Sequence, residues 1–451
     1  MKLTVQPGCV LNGTVENEIP GDKSISHRAA LFAALATGAS HIEHFQVSGV
    51  TRPMLQALTS LGVEWKLEGE NLVVEGKGMA ALNDPNFPID CGNSATTLRL
   101  LAGAITGAGV AAVLDGSPGL RKRPMERIVD PLRQMGASIS PSRDGTAPIS
   151  IKPRLPGKTL RPLTYDLPVA SAQVKSCLLL AALGAKGTTL LSEPGPSRDH
   201  TERMLSSMGV TVATREETTA EGVRYCVELT PPEPLKLSPL DLSLPADPSA
   251  AAFLIVAALI IPSSTLEFKG VCLNPTRAGL LDALRAMGAD IAIFNEHLAA
   301  GEPVGDLIVR SSTLRGTQIN GPLVVRMIDE FPILAVAAAL AEGVTTVRDA
   351  AELRLKESDR IAMLAAELRA LGVDIEEFED GFTITGGSIT GGQVESHGDH
   401  RLAMSLAVAG LAADAPVTVG HAECTNESFP GFADTLRKLG ASLSVEETHH
   451  A

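Results

Sequence analysis

The sequence predicts an α/β protein of two domains, each built from three copies of one repeated unit. Three observations predict it. A phrase ending in leucine or methionine and then glycine recurs six times, at intervals of 68 to 84 residues. Half a unit before each lies an alanine- and leucine-rich segment that is apolar nearly all round. A short β-like stretch follows every segment of either kind. Regular self-similarity at such a period marks a repeat architecture rather than chance in a leucine-rich chain.

The recurring phrase reads MLQALTSLG to Gly62, DPLRQMG to Gly136, MLSSMG to Gly209, LLDALRAMG to Gly288, AAELRALG to Gly372 and TLRKLG to Gly440. Each is an amphipathic helix with glycine where its C-terminal turn needs a positive φ. VEWKLEG, ASISPS, VTVATR, ADIAIF, VDIEEF and ASLSVEE come next and read as strands. The apolar segments are SHRAALFAALATG, TTLRLLAGAITG, QVKSCLLLAALGA, SAAAFLIVAALI, FPILAVAAALAEG and HRLAMSLAVAGLAA. A helix with no polar face must be buried. The strands expected after them are SHIEHF, VAAVLDG, TTLLSE, STLEFKG, VTTVRD and PVTVGH. One unit is thus a buried helix, a strand, an amphipathic helix and a strand pair. The sixth unit runs out after its first hairpin strand, and LTVQPG near the N-terminus can supply the missing one. This gives one domain of residues 1–20 plus 241–451 and another of 21–240, with the active site in the cleft between them.

Composition narrows the function. With 451 residues, 44% of them hydrophobic, the chain can bury more than one core. Its 52 acidic and 38 basic residues leave a net charge of -14, which repels nucleic acid and anionic membranes. Aromatics are 3%, with Trp65 the single tryptophan, too few for base-stacking platforms. The six cysteines show no metal-type pairing and read as free thiols of a reducing cytosol. MKLTVQPG lacks the apolar run of a signal peptide, and Ala250 to Ile261 is too short to span a bilayer. A cytoplasmic enzyme without metal or cofactor is expected, with no nucleic-acid or membrane partner, working as a monomer.

The chemistry gathers where the helices begin. The buried helices begin at Gly21-Asp22-Lys23-Ser24-Ile25-Ser26-His27-Arg28, Asp90-Cys91-Gly92-Asn93-Ser94-Ala95-Thr96-Thr97-Leu98-Arg99, Ser171-Ala172-Gln173-Val174-Lys175, Ala246-Asp247-Pro248-Ser249, Asp329-Glu330-Phe331-Pro332 and Gly398-Asp399-His400-Arg401. Capping accounts for the Ser, Asp and Asn residues. It does not account for the lysine, glutamine and arginine beside them. Five amphipathic helices also begin near arginine, at Arg52, Arg123, Arg198, Arg277 and Arg360. A helix N-terminus already carries unpaired N–H groups and partial positive charge, so added cations there repel unless an anion is bound. The pattern predicts a site for small phosphorylated or carboxylated anions.

With these residues in place, the chain resembles the 5-enolpyruvylshikimate-3-phosphate synthase family over its whole length. The motifs are Pro20-Gly21-Asp22-Lys23-Ser24-Ile25-Ser26-His27-Arg28, Arg121-Lys122-Arg123-Pro124, Lys356-Glu357-Ser358-Asp359-Arg360 and Asp399-His400-Arg401. Gly21-Asp22-Lys23-Ser24, Ser171-Ala172-Gln173-Val174-Lys175, Arg198-Asp199-His200-Thr201-Glu202 and Asn274-Pro275-Thr276-Arg277 look like the markers of its class II members. The resemblance implies two domains of three inverse βαβαββ units each. It also implies transfer of the enolpyruvyl group of phosphoenolpyruvate to the 5-hydroxyl of shikimate 3-phosphate, on the route to aromatic amino acids.

Carried onto this sequence, the resemblance assigns Lys23, Ser24, Arg28, Ser171, Ala172, Gln173, Arg198, Asp329 and Lys356 to shikimate 3-phosphate. It assigns Lys23, Asn93, Ala95, Arg123, Gln173, Arg360, His400 and Arg401 to phosphoenolpyruvate. Lys23, Asp329 and Glu357 are the catalytic candidates, with Asp329 as base and Glu357 as proton donor through a carboxyl crowded by anions. Ala95 stands where many members have glycine, which implies resistance to the longer inhibitor glyphosate. Two positions depart from the family: Ser48-Gly49-Val50-Thr51-Arg52 lacks an acidic residue, and Glu427 stands where some members have lysine. A related transferase acting on a sugar nucleotide usually carries a cysteine shortly before Arg-Pro. LDGSPGLRKRP, Leu114 to Pro124, has none. A repeat scaffold without activity predicts charge spread over exposed faces, not gathered at helix starts.

Overall fold

The computed structural model describes residues 1–220, 222–299 and 301–447. Each apolar segment forms a buried helix: Lys23–Leu35, Ala95–Ala108, Ala172–Ala182, Pro248–Ile260, Phe331–Ala339 and His400–Leu411. Each leucine-glycine phrase forms an amphipathic one: Arg52–Ser60, Glu126–Gln134, His200–Ser207, Gly279–Ala286, Arg360–Ala370 and Phe432–Lys438. The six glycines sit one residue past the helix caps with φ between 80° and 110°. A side chain there would be strained, so glycine ends each helix and turns the chain into the hairpin.

The strands form six four-stranded sheets of one topology. In one of them Ile89–Asp90 runs parallel to Ala112–Asp115, which is antiparallel to Ile149–Ile151, whose other neighbour is Ile139–Ser140. With the two helices this makes a βαβαββ unit, and the other five sheets repeat it. The opening strand was absent from the residue-based reading of the unit. It is only two to four residues long in every sheet, too short to show alternation.

The chain ends and crossings are used to complete units. Lys2–Gln6 lies between Val417–Gly420 and Ser442–Glu446 and supplies the last strand of the sixth sheet. Asn12–Val15 opens the fourth sheet, against Thr265–Cys272. Asp241–Ser243 opens the first, against Thr37–Glu43. Contacts divide the chain into a unit of Met1–Pro20, Pro245–His297 and Pro303–Ala451 and a unit of Gly21–Leu244 and Leu298–Glu302. The crossing falls after Leu244 rather than at 240 because Asp241–Ser243 is needed in the first sheet. Leu298–Glu302 is a hairpin tip that sequence reasoning had left with the other domain; its Glu302 carboxylate meets His200 Nδ1 at 2.8 Å, both buried.

In the unit of Gly21–Leu244, two buried helices touch backbone to backbone. A Cβ added at Gly103 would lie 2.1 Å from Cys177 O, and one at Gly184 would lie 2.1 Å from Gly107 O. Only glycine fits either place, and the fit fixes how the starts of Ala95–Ala108 and Ala172–Ala182 stand to each other. In the other unit the core is filled by larger side chains, with Phe253, Phe429 and Phe432 in edge-to-face contact. Among the described residues no helix is long and apolar enough to cross a membrane.

Candidate active site

The candidate residues fall into two clusters, one in each unit. In the unit of Gly21–Leu244, Asp22 caps the first buried helix by accepting from Ile25 N at 2.8 Å. Lys23 and Ser24 follow as its first residues. Arg198 Nη1 donates to Ser24 Oγ at 3.0 Å. Arg28, one turn on, is buried and gives Nε to Thr201 Oγ1, Nη1 to Ser24 O and Nη2 to Ser176 Oγ, all at 2.8–2.9 Å. Three of its five N–H bonds are thereby used, leaving one on each terminal nitrogen. Burial pushes this guanidinium down to about 10; Glu202 opposes that and Arg198 adds to it.

Ser171, Ala172 and Gln173 begin the third buried helix. Lys175, on the same turn, is held by carboxylates of its own unit. Its ammonium is buried between Glu193 Oε1 at 2.7 Å and Glu202 Oε1 at 2.8 Å, and also reaches Ser197 O. Glu193 in turn accepts from Ser171 N, Ser197 N and Ser197 Oγ. The two carboxylates raise the lysine pKa against the opposing effect of burial. The cluster therefore locks the start of the helix that carries Ser171 and Gln173.

Gln173 is held from two sides: Arg99 Nη1 donates to its Oε1 at 2.5 Å, and its Nε2 donates to Thr96 Oγ1 at 3.0 Å. Arg99 also donates to Pro124 O at 2.9 Å, next to Arg123. Sequence reasoning placed Arg99 in a helix-start segment but gave it no role. Its signal was an arginine inside an otherwise apolar helix. Ala95 is buried at the first position of that helix, after Ser94, which caps Thr97 N. Asn93 Oδ1 accepts from Ser117 Oγ at 2.9 Å, which ties the loop before Ala95 to the loop leading to Arg123.

In the other unit, one guanidinium organises the second cluster. Arg360 donates Nε to Asp399 at 2.8 Å, Nη1 to Asp329 at 3.2 Å and Nη2 to Glu357 at 2.7 Å. Arg401 is buried beside it, with Nη2 3.5 Å from Asp329 and Nη1 3.9 Å from Glu330. The expected repulsion of cations at helix starts is thus met by built-in carboxylates. Glu357, expected to be crowded by anions, also has the Arg360 guanidinium against it. Lys356 is partly buried and lowered from the ordinary lysine value, first by desolvation, with Asp329 and Glu352 opposing. Glu427, at the family's late lysine position, lies 3.7 Å from Nδ1 of the buried His400.

Comparison with known proteins decides the family. The profile of EPSP synthase (3-phosphoshikimate 1-carboxyvinyltransferase) matches residues 5–436. The chain belongs to the EPSP synthase family. The 3-phosphoshikimate 1-carboxyvinyltransferase of Salinibacter ruber is 47% identical over 445 residues, which cover 98% of this chain and 100% of the relative. That of Roseiflexus castenholzii is 49% identical over 426 residues, 94% of this chain and 96% of the relative. A solved EPSP synthase from Acinetobacter baumannii superposes with a TM-score of 0.86 at 40% identity, covering 99% of this chain and 100% of that one. The chain is an enolpyruvyl-transferring enzyme of the shikimate pathway, and its repeated βαβαββ units are the EPSP synthase fold.

Proposed function

We propose that the chain joins phosphoenolpyruvate to the 5-hydroxyl of shikimate 3-phosphate, releasing phosphate, as a cytoplasmic monomer of the family's class II. The observation that carries this reading is the pair of clusters, in which Lys23, Arg123 and Arg198 on one side and Arg360 and Arg401 on the other stand at helix starts. Both substrates bring phosphate and carboxylate, and arginine's planar fork pairs with either group through two N–H bonds. Function requires both clusters to serve the same pair of substrates.

Ser24, Arg28, Ser171, Ala172, Gln173, Arg198 and Lys356 take shikimate 3-phosphate, and Arg28 has two N–H bonds left for it. Arg123, Arg360 and Arg401 take phosphoenolpyruvate, with Asn93, Ala95 and His400 around it and Gln173 reaching both. Asp329 removes the 5-hydroxyl proton as its oxygen bonds to the central carbon of phosphoenolpyruvate. Glu357 gives a proton to the methylene. Lys23 stabilises the phosphate, which leaves as the intermediate's methyl group gives a proton back and the double bond returns. Losing one preorganised contact of this kind costs on the order of 100- to 1000-fold in rate. Ala95, at the buried helix start, narrows the phosphoenolpyruvate site against glyphosate.

Phosphate release from phosphoenolpyruvate tests the reading. It is expected with shikimate 3-phosphate and not with UDP-N-acetylglucosamine; the reverse pattern, or no release with either, rejects it. Arg123→Ala raises KM for phosphoenolpyruvate far more than KM for shikimate 3-phosphate. Equal changes in both remove Arg123 from its assigned place.

A further inference from the structure

The fourth repeat unit contributes no residue to either assigned ligand set, yet its helix starts carry the buried charges Asp247 and Arg277. Asn274 folds back to accept from Thr276 N at 2.8 Å and Thr276 Oγ1 at 2.7 Å. That turn presents Arg277, whose Nη2 donates to Asp247 Oδ1 at 3.0 Å and to Ser249 Oγ at 2.8 Å. Asp247 Oδ1 also accepts from Ser249 N at 2.8 Å. Ser249 Oγ then makes a short hydrogen bond to Glu330 Oε1. A guanidinium can only donate, so the Ser249 hydroxyl receives from Arg277 and must pass its own proton toward Glu330. The chain of bonds has one direction, and it ends on the Glu330 carboxyl group.

Glu330 is 3% exposed, and its Oε2 is buried with no hydrogen-bond partner. A native fold seldom tolerates such an oxygen away from a functional site. Arg401 Nη1 lies 3.9 Å from Oε1. The ion pairs of Arg401 are loose, 3.5 Å to Asp329 and 3.9 Å to Glu330. The guanidinium is therefore charge-balanced but keeps its N–H donors. Without the Glu330 charge, Arg401 is drawn further toward Asp329, already 3.5 Å away and shared with Arg360.

We propose that Glu330 is a positioning residue that shares the Arg401 charge with Asp329 and keeps the guanidinium aimed at the carboxylate of phosphoenolpyruvate, and that Arg277 and Ser249 of the fourth unit hold Glu330. The inference rests on the assignment of Arg401 to phosphoenolpyruvate. Glu330→Gln keeps the shape and removes the charge; it raises KM for phosphoenolpyruvate roughly tenfold, as loss of an outer supporting contact does. KM for shikimate 3-phosphate stays within about twofold on the same grounds. Ser249→Ala, the milder variant, moves KM for phosphoenolpyruvate in the same direction and adds nothing in the Glu330→Gln background, because both act through one chain of contacts. Arg401→Ala is the control. If it leaves KM for phosphoenolpyruvate unchanged, the assignment of Arg401 fails. If it raises KM while Glu330→Gln does not, or if Ser249→Ala and Glu330→Gln add, the positioning role is overturned. A fall in melting temperature with both KM values unmoved overturns it as well.

Discussion

Gly103→Ala tests whether the backbone contact between two buried helices sets the geometry of the substrate half-site. The added Cβ lies 2.1 Å from Cys177 O, 2.8 Å from Cys177 C and 2.9 Å from Cys177 Cα, whereas ordinary contact begins at 3.4 Å. The obstacle is backbone, so no rotamer change relieves it. The helices Ala95–Ala108 and Ala172–Ala182 must separate by about 1 Å, and overpacking of this kind costs about 1–3 kcal/mol. The separation also stretches the 2.5 Å bond from Arg99 to Gln173. A hydrogen bond to a charged group is worth about 1.5–3 kcal/mol, so full loss of both brings the total to about 2.5–6 kcal/mol. Misplacing a binding group by about 1 Å can cost on the order of 100-fold in activity. Urea unfolding followed by circular dichroism measures the first effect, and steady-state kinetics with each substrate varied measures the second. A variant within about 0.5 kcal/mol of the parent with unchanged kcat/KM would refute the argument, since surface-like tolerance is incompatible with a backbone clash.

Three further outcomes are expected. Lys175→Met leaves Glu193 and Glu202 buried without their cation and destabilises by about 3–5 kcal/mol; adding Glu193→Gln recovers part of this, and a loss below about 1 kcal/mol contradicts the buried triad. His27 lies 2.7 Å from Lys23 O through Nδ1 and 2.9 Å from Val50 O through Nε2, contacts that favour a proton on both nitrogens. Burial outweighs them, with the Lys23 and Arg28 charges adding to it, and its pKa is pushed down to about 4; Ser94 Oγ, 3.2 Å from Nε2, can donate to the neutral ring. The unfolded chain takes up that proton near pH 6.5 and the native one only near 4, so stability is lost as pH falls through this window, by about 3 kcal/mol in all. His27→Gln flattens that part of the denaturation profile, and an unchanged slope rejects the neutral buried ring. Ala95→Gly lowers the inhibition constant of glyphosate relative to KM for phosphoenolpyruvate; a parent enzyme already inhibited below that KM contradicts the proposed role of Ala95.

The regular parts of the fold were legible because their signals repeat. Gly62, Gly136, Gly209, Gly288, Gly372 and Gly440 each mark a helix end by a conformation other residues avoid, and the apolar segments announce burial by lacking any polar face. The opening strands were not legible: Ile89–Asp90 and Gln318–Ile319 have two residues each, and their place is set by partners distant in sequence. At the site, residue types at helix starts pointed to anions, but a sequence does not show which cations already have partners. Lys175 and Arg277 look like ligand-binding charges by position and prove to be braces for the residues beside them. Arg99 and Glu330 were passed over because their importance lies in whom they touch, Gln173 for one and Ser249 with Arg401 for the other.

The placement of Lys2–Gln6 inside the last sheet has a consequence for synthesis on the ribosome. That strand emerges well before both of its neighbours, Val417–Gly420 and Ser442–Glu446, which come more than 400 residues later. At about 5–20 residues per second it waits on the order of tens of seconds without a partner. The unit of Gly21–Leu244 needs nothing beyond residue 302 and can set its own sheets while the rest is still being made. Folding order therefore differs from sequence order: the half-site with Lys23, Gln173 and Arg198 matures first, and the half-site with Arg360 and Arg401 is completed only when Lys2–Gln6 meets Ser442–Glu446.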